Sequence, residues 1–260
     1  MGPDRLVADG KTPVFGVRRR VINEASGTGV FQIIDLKTRE ELKYLPVMPE
    51  DRTDVEDVVA VLHHMAKYKL VEGLSNSTPG ANSNSTLSMK NSSNGKSGKD
   101  DGGHPFSVTV TTDEPQKTYY PGEQAEIRLS DEIKICVENN GSTDLYVYIY
   151  ALSPLWEIEH VHHATLAVAM ARQSQLEECE SSLQYRIEPR MPDVMEDDPA
   201  VTHFDDILKV FVTTQETAFD MLEQQSVWSI RDWASKNRAP SRWSGPEKWA
   251  AFNFPVRTWV

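Results

Sequence analysis

A chain of 260 residues with 39% hydrophobic content and a mean hydropathy of −0.48 can carry one or two domains with a proper core, at the polar edge of globular composition. Its net charge of −12 disfavours nucleic acid and anionic membrane surfaces, which would repel it. Two cysteines, Cys136 and Cys179, cannot build a disulfide framework, and no window approaches the roughly 18 apolar residues of a membrane helix.

The chain starts Met1-Gly2-Pro3-Asp4-Arg5-Leu6, with no apolar stretch of signal-peptide length and with Leu6 where a myristoylation motif takes Ser or Thr. The expected setting is the cytoplasm, and the sequons at Asn76, Asn84, Asn91 and Asn140 are read as products of a Ser/Asn-rich composition. Val14-Phe15-Gly16-Val17 and Gly29 to Leu36 read as strands, separated by a turn around Ser26 to Gly29. Arg18-Arg19-Arg20 is a short basic run, read as a solvated strand edge. Helical spacing follows, with Val55, Val58, Leu62, Met65 and Ala66 on one face. Thr53 to Glu56 has the capping-box pattern: the Thr hydroxyl accepts from a first-turn amide while the Glu reaches back. Gly73 is the expected stop. Residues 1–73 thus form one block, a β-hairpin and one α-helix.

Residues 74–104 are dominated by Ser, Asn, Gly and Lys, with only Leu74, Leu87 and Met89 as large apolar side chains. Such a segment cannot offset its own ordering entropy, so it reads as a disordered linker. From 105 the pattern is β. Phe106 to Val110 alternates, Pro121-Gly122 marks a turn, and Ile133, Ile135 and Val137 oppose Lys134, Cys136 and Glu138 across a half-buried strand. Asn139-Asn140-Gly141 supplies the positive φ of a tight hairpin, from which Leu145 to Tyr150 would pair back. Pro154-Leu155-Trp156 makes a corner. Leu166 to Leu176 reads as a short helix, and Asp193 to Asp206 as an exposed acidic loop. Leu183, Tyr185 and Ile187 alternate again, Ile207 to Val212 is nearly all apolar on both faces, and Phe252, Phe254 and Val256 close the chain. About seven short strands with turns between them predict a mainly β fold, an antiparallel, immunoglobulin-like β-sandwich over 105–260.

Signals for catalysis are missing. The sequence has no glycine-rich phosphate loop, no Walker lysine and no nucleophile elbow, so neither an enzyme nor a cofactor is expected. His160-Val161-His162-His163 is the one metal-like cluster: the i, i+2 pair can share a strand face, His163 stands beside them, and Glu157 or Glu159 could add a ligand. A solvent-facing cluster is the favoured reading and metal ligation the weaker one. His63-His64 splits onto neighbouring helix faces and reads as ordinary surface. Trp228, Trp233, Trp243, Trp249 and Trp259 all fall near the C-terminus. Trp233, Arg242, Trp243 and Trp249 are candidate hot spots for a protein partner, because Trp and Arg dominate interface energetics. The competing and favoured reading is that these rings lap over the open end of the sandwich.

Several segments carry a resemblance: Val30-Phe31-Gln32-Ile33-Ile34-Asp35; the helix Val58 to Lys69; Val137-Glu138-Asn139 with Asp144 to Val147 and Leu155-Trp156-Glu157-Ile158; Asp205 to Thr213 with Phe219; and Trp249 to Thr258. In order and spacing they resemble the C-terminal, non-catalytic region of fungal proteins that carry an N-terminal caspase-like peptidase domain. They cover most of the chain outside 74–104. Two departures fall in loops: a longer linker, and a segment 159–180 without the Gly-rich character of the family. Caspase-like catalysis needs a His, usually as His-Gly, and a Cys after a second apolar strand. None of the seven histidines precedes a Gly. Cys136 sits mid-strand, and Cys179 stands among Glu177, Glu178 and Glu180, which work against a thiolate. The resemblance implies a non-enzymatic accessory module in a cell-death or self-recognition pathway, partnered by a caspase-like protease or a NACHT-type signalling protein. Its alternative is a C-terminal fragment of a caspase-like cysteine endopeptidase whose catalytic domain lies outside this chain.

Overall fold

The computed structural model describes residues 14–23, 27–75, 106–113, 116–140, 143–167, 182–196, 198–229 and 249–260. Twelve strands and one long helix lie within them. The chain divides into two compact units: one of Met1–Val71, Leu152–Glu159 and Leu222–Ser241, the other of Glu72–Ala151, His160–Met221 and Arg242–Val260. Two late segments therefore belong with the N-terminal block. Of the expected linker only Leu74 and Ser75 are described; the rest lies outside the described residues.

In the first unit, β1 (Phe15–Asn23) and β2 (Thr28–Asp35) form the expected antiparallel hairpin, and β3 (Met48–Pro49) continues the sheet in the order β1-β2-β3. Gly27, at φ 66, supplies a left-handed residue ahead of β2. Helix α1 (Val55–Gly73) ends at the expected glycine. Its cap is one residue later than the sequence pattern suggests. Asp57 N donates to Asp54 Oδ1 at 2.8 Å, and Asp54 N donates to Asp57 Oδ2 at 3.2 Å, a reciprocal box built by two aspartates instead of Thr53 and Glu56. The buried stripe is Val61, His64, Met65, Tyr68 and Val71, while Val55 and Ala66 are exposed. Counting only aliphatic residues misplaced that face, because the stripe runs through a histidine and a tyrosine.

The second unit holds the sandwich. One sheet contains β4 (Phe106–Asp113), β5 (Gln116–Tyr119), β7 (Ile133–Asn139) and β10 (Ser182–Ile187) in the order β10-β7-β4-β5. The other contains β6 (Ala125–Arg128), β8 (Leu145–Leu152), β9 (Ile158–Leu166), β11 (His203–Thr213) and β12 (Trp249–Trp259) in the order β6-β12-β11-β8-β9. Val108, Val110, Ile133, Ile135 and Val137 from the first sheet meet Val147, Ile149, Leu208, Val210 and Phe254 from the second in one core. The period of two along β7 places alternate residues there. The fold is mainly β and sandwich-like, and β6 pairs with β12 in parallel.

Three expectations are corrected. The Asn139-Asn140-Gly141 turn does not close a hairpin: β7 lies between β10 and β4, whereas β8 lies in the other sheet between β11 and β9. The reason is burial. β8 is apolar on nearly every residue, which suits a strand covered on both faces. Asn139 turns inward and donates to the carbonyls of Thr143, Leu166 and Ala167. Leu166 ends β9 and does not start a helix; the remainder of that expected helix lies outside the described residues. The acidic stretch 193–206 is only partly a loop: α2 (Asp193–Glu196) buries Met195, and β11 already begins at His203.

β8 and β11 are apolar on both faces because the side away from the core carries an aromatic layer. Tyr148 and Phe211 both meet Phe219, at 4.8 Å and 4.9 Å, and Tyr150 stands edge-on to Phe211 at 5.8 Å. Among the described residues no helix is long and apolar enough to cross a membrane.

Candidate interaction surface

The corner at Pro154-Leu155-Trp156 organises the first unit. Trp156 adopts φ 63, a left-handed conformation that strains a bulky residue. The turn is held by Ser153 N donating to Glu157 O at 3.0 Å and Trp156 N donating to Ser153 O at 3.1 Å. The Trp156 carbonyl accepts from Gln224 Nε2 at 2.8 Å and lies 2.8 Å from His64 Nε2. The indole stands edge-on to Phe15 and Tyr68, with centroids 6.1 Å and 5.1 Å away, and Lys69 Nζ sits 5.7 Å from its centroid. Its Nε1 is buried without a hydrogen-bond partner among the described residues.

His64, expected on the surface, is buried. Burial pushes its pKa below the ordinary 6.5, opposed by the hydrogen bond to the Trp156 carbonyl and reinforced by Lys67. A histidine held neutral by folding gives its full stability above 6.5. As pH falls below that value the unfolded chain takes up the proton first, and stability is lost. The melting temperature is therefore expected to fall as pH drops from 7 toward 5. In His64→Gln, which keeps a donor for the carbonyl but does not titrate, the fall should be shallower when both are followed by circular dichroism. An unchanged slope would remove His64 from the account.

The three histidines of β9 do not converge on a point. Each ring stacks on a different tyrosine: His160 on Tyr150 at 4.9 Å, His162 on Tyr185 at 4.1 Å and His163 on Tyr148 at 4.5 Å. Among the described residues no group of three His, Cys, Asp or Glu side chains could hold a metal ion. Burial and the two neighbouring imidazoles keep the His162 pKa below its ordinary value. Of the candidate hot spots, Trp233, Arg242 and Trp243 lie outside the described residues. Trp249 opens β12 opposite Thr213, half-buried, its ring 6.3 Å from Phe211. It packs as a strand residue. Cys136 lies mid-strand in β7 opposite Thr109 and Gln184, and Cys179 lies outside the described residues.

Two ionisable groups in the second unit, one buried and one half-buried, carry no sequence signature of a site. Lys209 is fully buried and donates to Glu72 O, Leu74 O and Asn253 Oδ1. Asp206, opposite Val256, sits on the side of β11 that carries Leu208, Val210 and Val212 into the core. Part of its surface meets solvent, yet desolvation dominates, with the Asp205 charge adding to it, and its pKa is pushed up to about 7. A carboxyl raised in this way stabilises fully below the unfolded value of 3.8 and loses that stability as pH rises through about 7. Asp206→Asn should therefore stabilise the chain by about 2 kcal/mol at pH 8 and hardly at all at pH 4. Equal effects at both pH values in urea titrations would contradict this placement of the carboxyl.

Among the described residues the longest outer strands are β1 and β9, nine residues each; β10 has six, β5 and β6 four, and β3 two. β1 is the outer strand of its sheet. Leu36 N donates to Val14 O, so the antiparallel alternation places hydrogen-bonded pairs at Gly16/Ile34, Arg18/Gln32 and Arg20/Val30. The main-chain groups of Phe15, Val17 and Arg19 consequently point away from β2. On the other side of β2, Gly29 O and Ile33 O accept from Glu50 N and Leu42 N, as the same alternation requires. Arg18 bonds Gln32 and lies 3.9 Å from Glu41, while Arg19 pairs with Glu50 at 2.8 Å and donates to Gly27 O. These ion pairs are exposed and exchangeable. Val14, Val21 and Ile22 are also exposed. The chain matches no family model, no curated protein and no solved structure.

Proposed function

We propose that this chain is a non-enzymatic accessory module that works by protein–protein contact, its partner a caspase-like protease or a NACHT-type signalling protein in a cell-death or self-recognition pathway. The observation that carries the contact is β1, a long outer strand whose alternate main-chain groups have no strand beside them among the described residues. An open edge of this kind is a template for β-strand addition, in which main-chain hydrogen bonds supply affinity and side chains supply specificity. The caspase connection rests on the resemblance of the strand, helix and corner segments, Val30 to Asp35, Val58 to Lys69 and Leu155 to Ile158 foremost. The purified chain, mixed with the catalytic domain of a fungal caspase-like protease, is expected to co-elute with it from a sizing column and to cleave no peptide amide when alone. Separate elution, or hydrolysis by the chain itself, would contradict the proposal.

A further inference from the structure

We propose that β1 receives an acidic, extended segment of a partner as a fourth strand of the β1-β2-β3 sheet. This rests on the interaction-module reading and adds the chemistry of the bound segment. The edge is selective through charge. In a chain of net charge −12, Arg18, Arg19 and Arg20 fall together in the middle of its outermost strand. An incoming antiparallel strand would hydrogen-bond through Phe15, Val17 and Arg19, whose N–H and C=O groups face outward, and would set its own side chains directly against the arginines.

The same run disfavours a second copy of the chain. The antiparallel register that uses the whole of β1 places Arg19 opposite Arg19, with Arg18 opposite Arg20 on either side. Like charges directly opposed across strands are destabilising. A partner strand with Glu or Asp at those positions instead gains cross-strand ion pairs, and it can draw Arg18 and Arg19 from their exposed pairs with Glu41 and Glu50. Exposed Val21 and Ile22 offer apolar surface at the end of the strand.

The test uses the full chain and two fluorescein-labelled octapeptides, one alternating Val and Glu, the other alternating Val and Lys. Saturable anisotropy with the acidic peptide and none with the basic one is the expected result. Arg20→Glu should weaken acidic-peptide binding roughly fivefold. Val17→Pro should abolish it: proline removes an outward N–H, and an edge strand tolerates that change with its fold and melting temperature retained. If Val17→Pro unfolds the chain, Arg20→Glu decides alone. Equal binding of both peptides, or wild-type affinity in the variants, would overturn the proposal. If neither peptide binds while the protease domain still co-elutes, the edge is wrong and the module reading stands. Acidic-peptide binding without co-elution sinks the partner and leaves the edge.

Discussion

Replacing Trp156 with Ala is expected to cost about 3–5 kcal/mol in urea denaturation, a large part of the stability of an ordinary domain. The indole stands edge-on to Phe15 and Tyr68 and is buried to 8% exposure. Its backbone holds φ 63 only because the surrounding turn and the carbonyl's contacts with Gln224 and His64 fix it. Truncation leaves a cavity without relieving that strain. Trp156→Phe separates packing from hydrogen bonding. Because the buried Nε1–H has no partner among the described residues, losing it removes a desolvation penalty of about 1–3 kcal/mol and offsets part of the lost volume. The Phe variant should therefore lie much closer to wild type than the Ala variant. Equal destabilisation by both would mean that the N–H, and not the ring, does the holding.

Lys209→Met should destabilise by about 3 kcal/mol at pH 7, despite placing an apolar side chain in a fully buried position. The ammonium donates to Glu72 O at 3.0 Å, Leu74 O at 2.8 Å and Asn253 Oδ1 at 2.8 Å, using all three of its hydrogens. Glu72 and Leu74 close and follow α1, where main-chain carbonyls have no helical partner. Burial pushes the Lys209 pKa down to about 8, so the side chain is still charged at pH 7. The sign follows: its contribution is complete above the unfolded value of 10.5 and is lost as pH falls through about 8, so at pH 7 the shifted titration itself adds no stability. What Lys209 contributes at neutral pH is therefore the satisfaction of three acceptors. Methionine takes the lysine's bond from each and leaves Glu72 O with the donation from Asn253 Nδ2 at 2.9 Å. Asn253→Ala removes one acceptor of the lysine and the Nδ2 donor to Glu72 O, leaves the lysine bonded to both carbonyls, and should cost less; a Met variant as stable as wild type would show that the carbonyls find other partners.

Much of the architecture was legible because it depends on short-range periodicity. The alternation of β7, the apolar run of β11, the hairpin strands and the α1 stop at Gly73 follow from side-chain period and turn chemistry. Pairing does not. Asn139-Asn140-Gly141 has the chemistry of a tight hairpin, yet the strand after it is apolar on both faces and belongs in the middle of the other sheet. His64, Asp206 and Lys209 were hidden for a related reason. Each is a polar residue within an apolar face, and its partners come from distant parts of the chain: the Trp156 carbonyl for His64, and Glu72 and Leu74 for Lys209. A lysine inside the run Ile207 to Val212 was the one signal available. The arginines of β1 were read as a solvated edge; what could not be read was that β1 is the outermost strand, which sets Phe15, Val17 and Arg19 facing outward.

Residue-resolved amide exchange along β1, first for the chain alone and then with the caspase-like catalytic domain, tests the proposed edge most directly. In the free chain the amides of Phe15, Val17 and Arg19 should exchange quickly and those of Gly16, Arg18 and Arg20 slowly. Partner binding should slow the first set. Fast exchange at Phe15, Val17 and Arg19 after the partner has bound, or protection of those amides in the free chain, would contradict recognition through this edge.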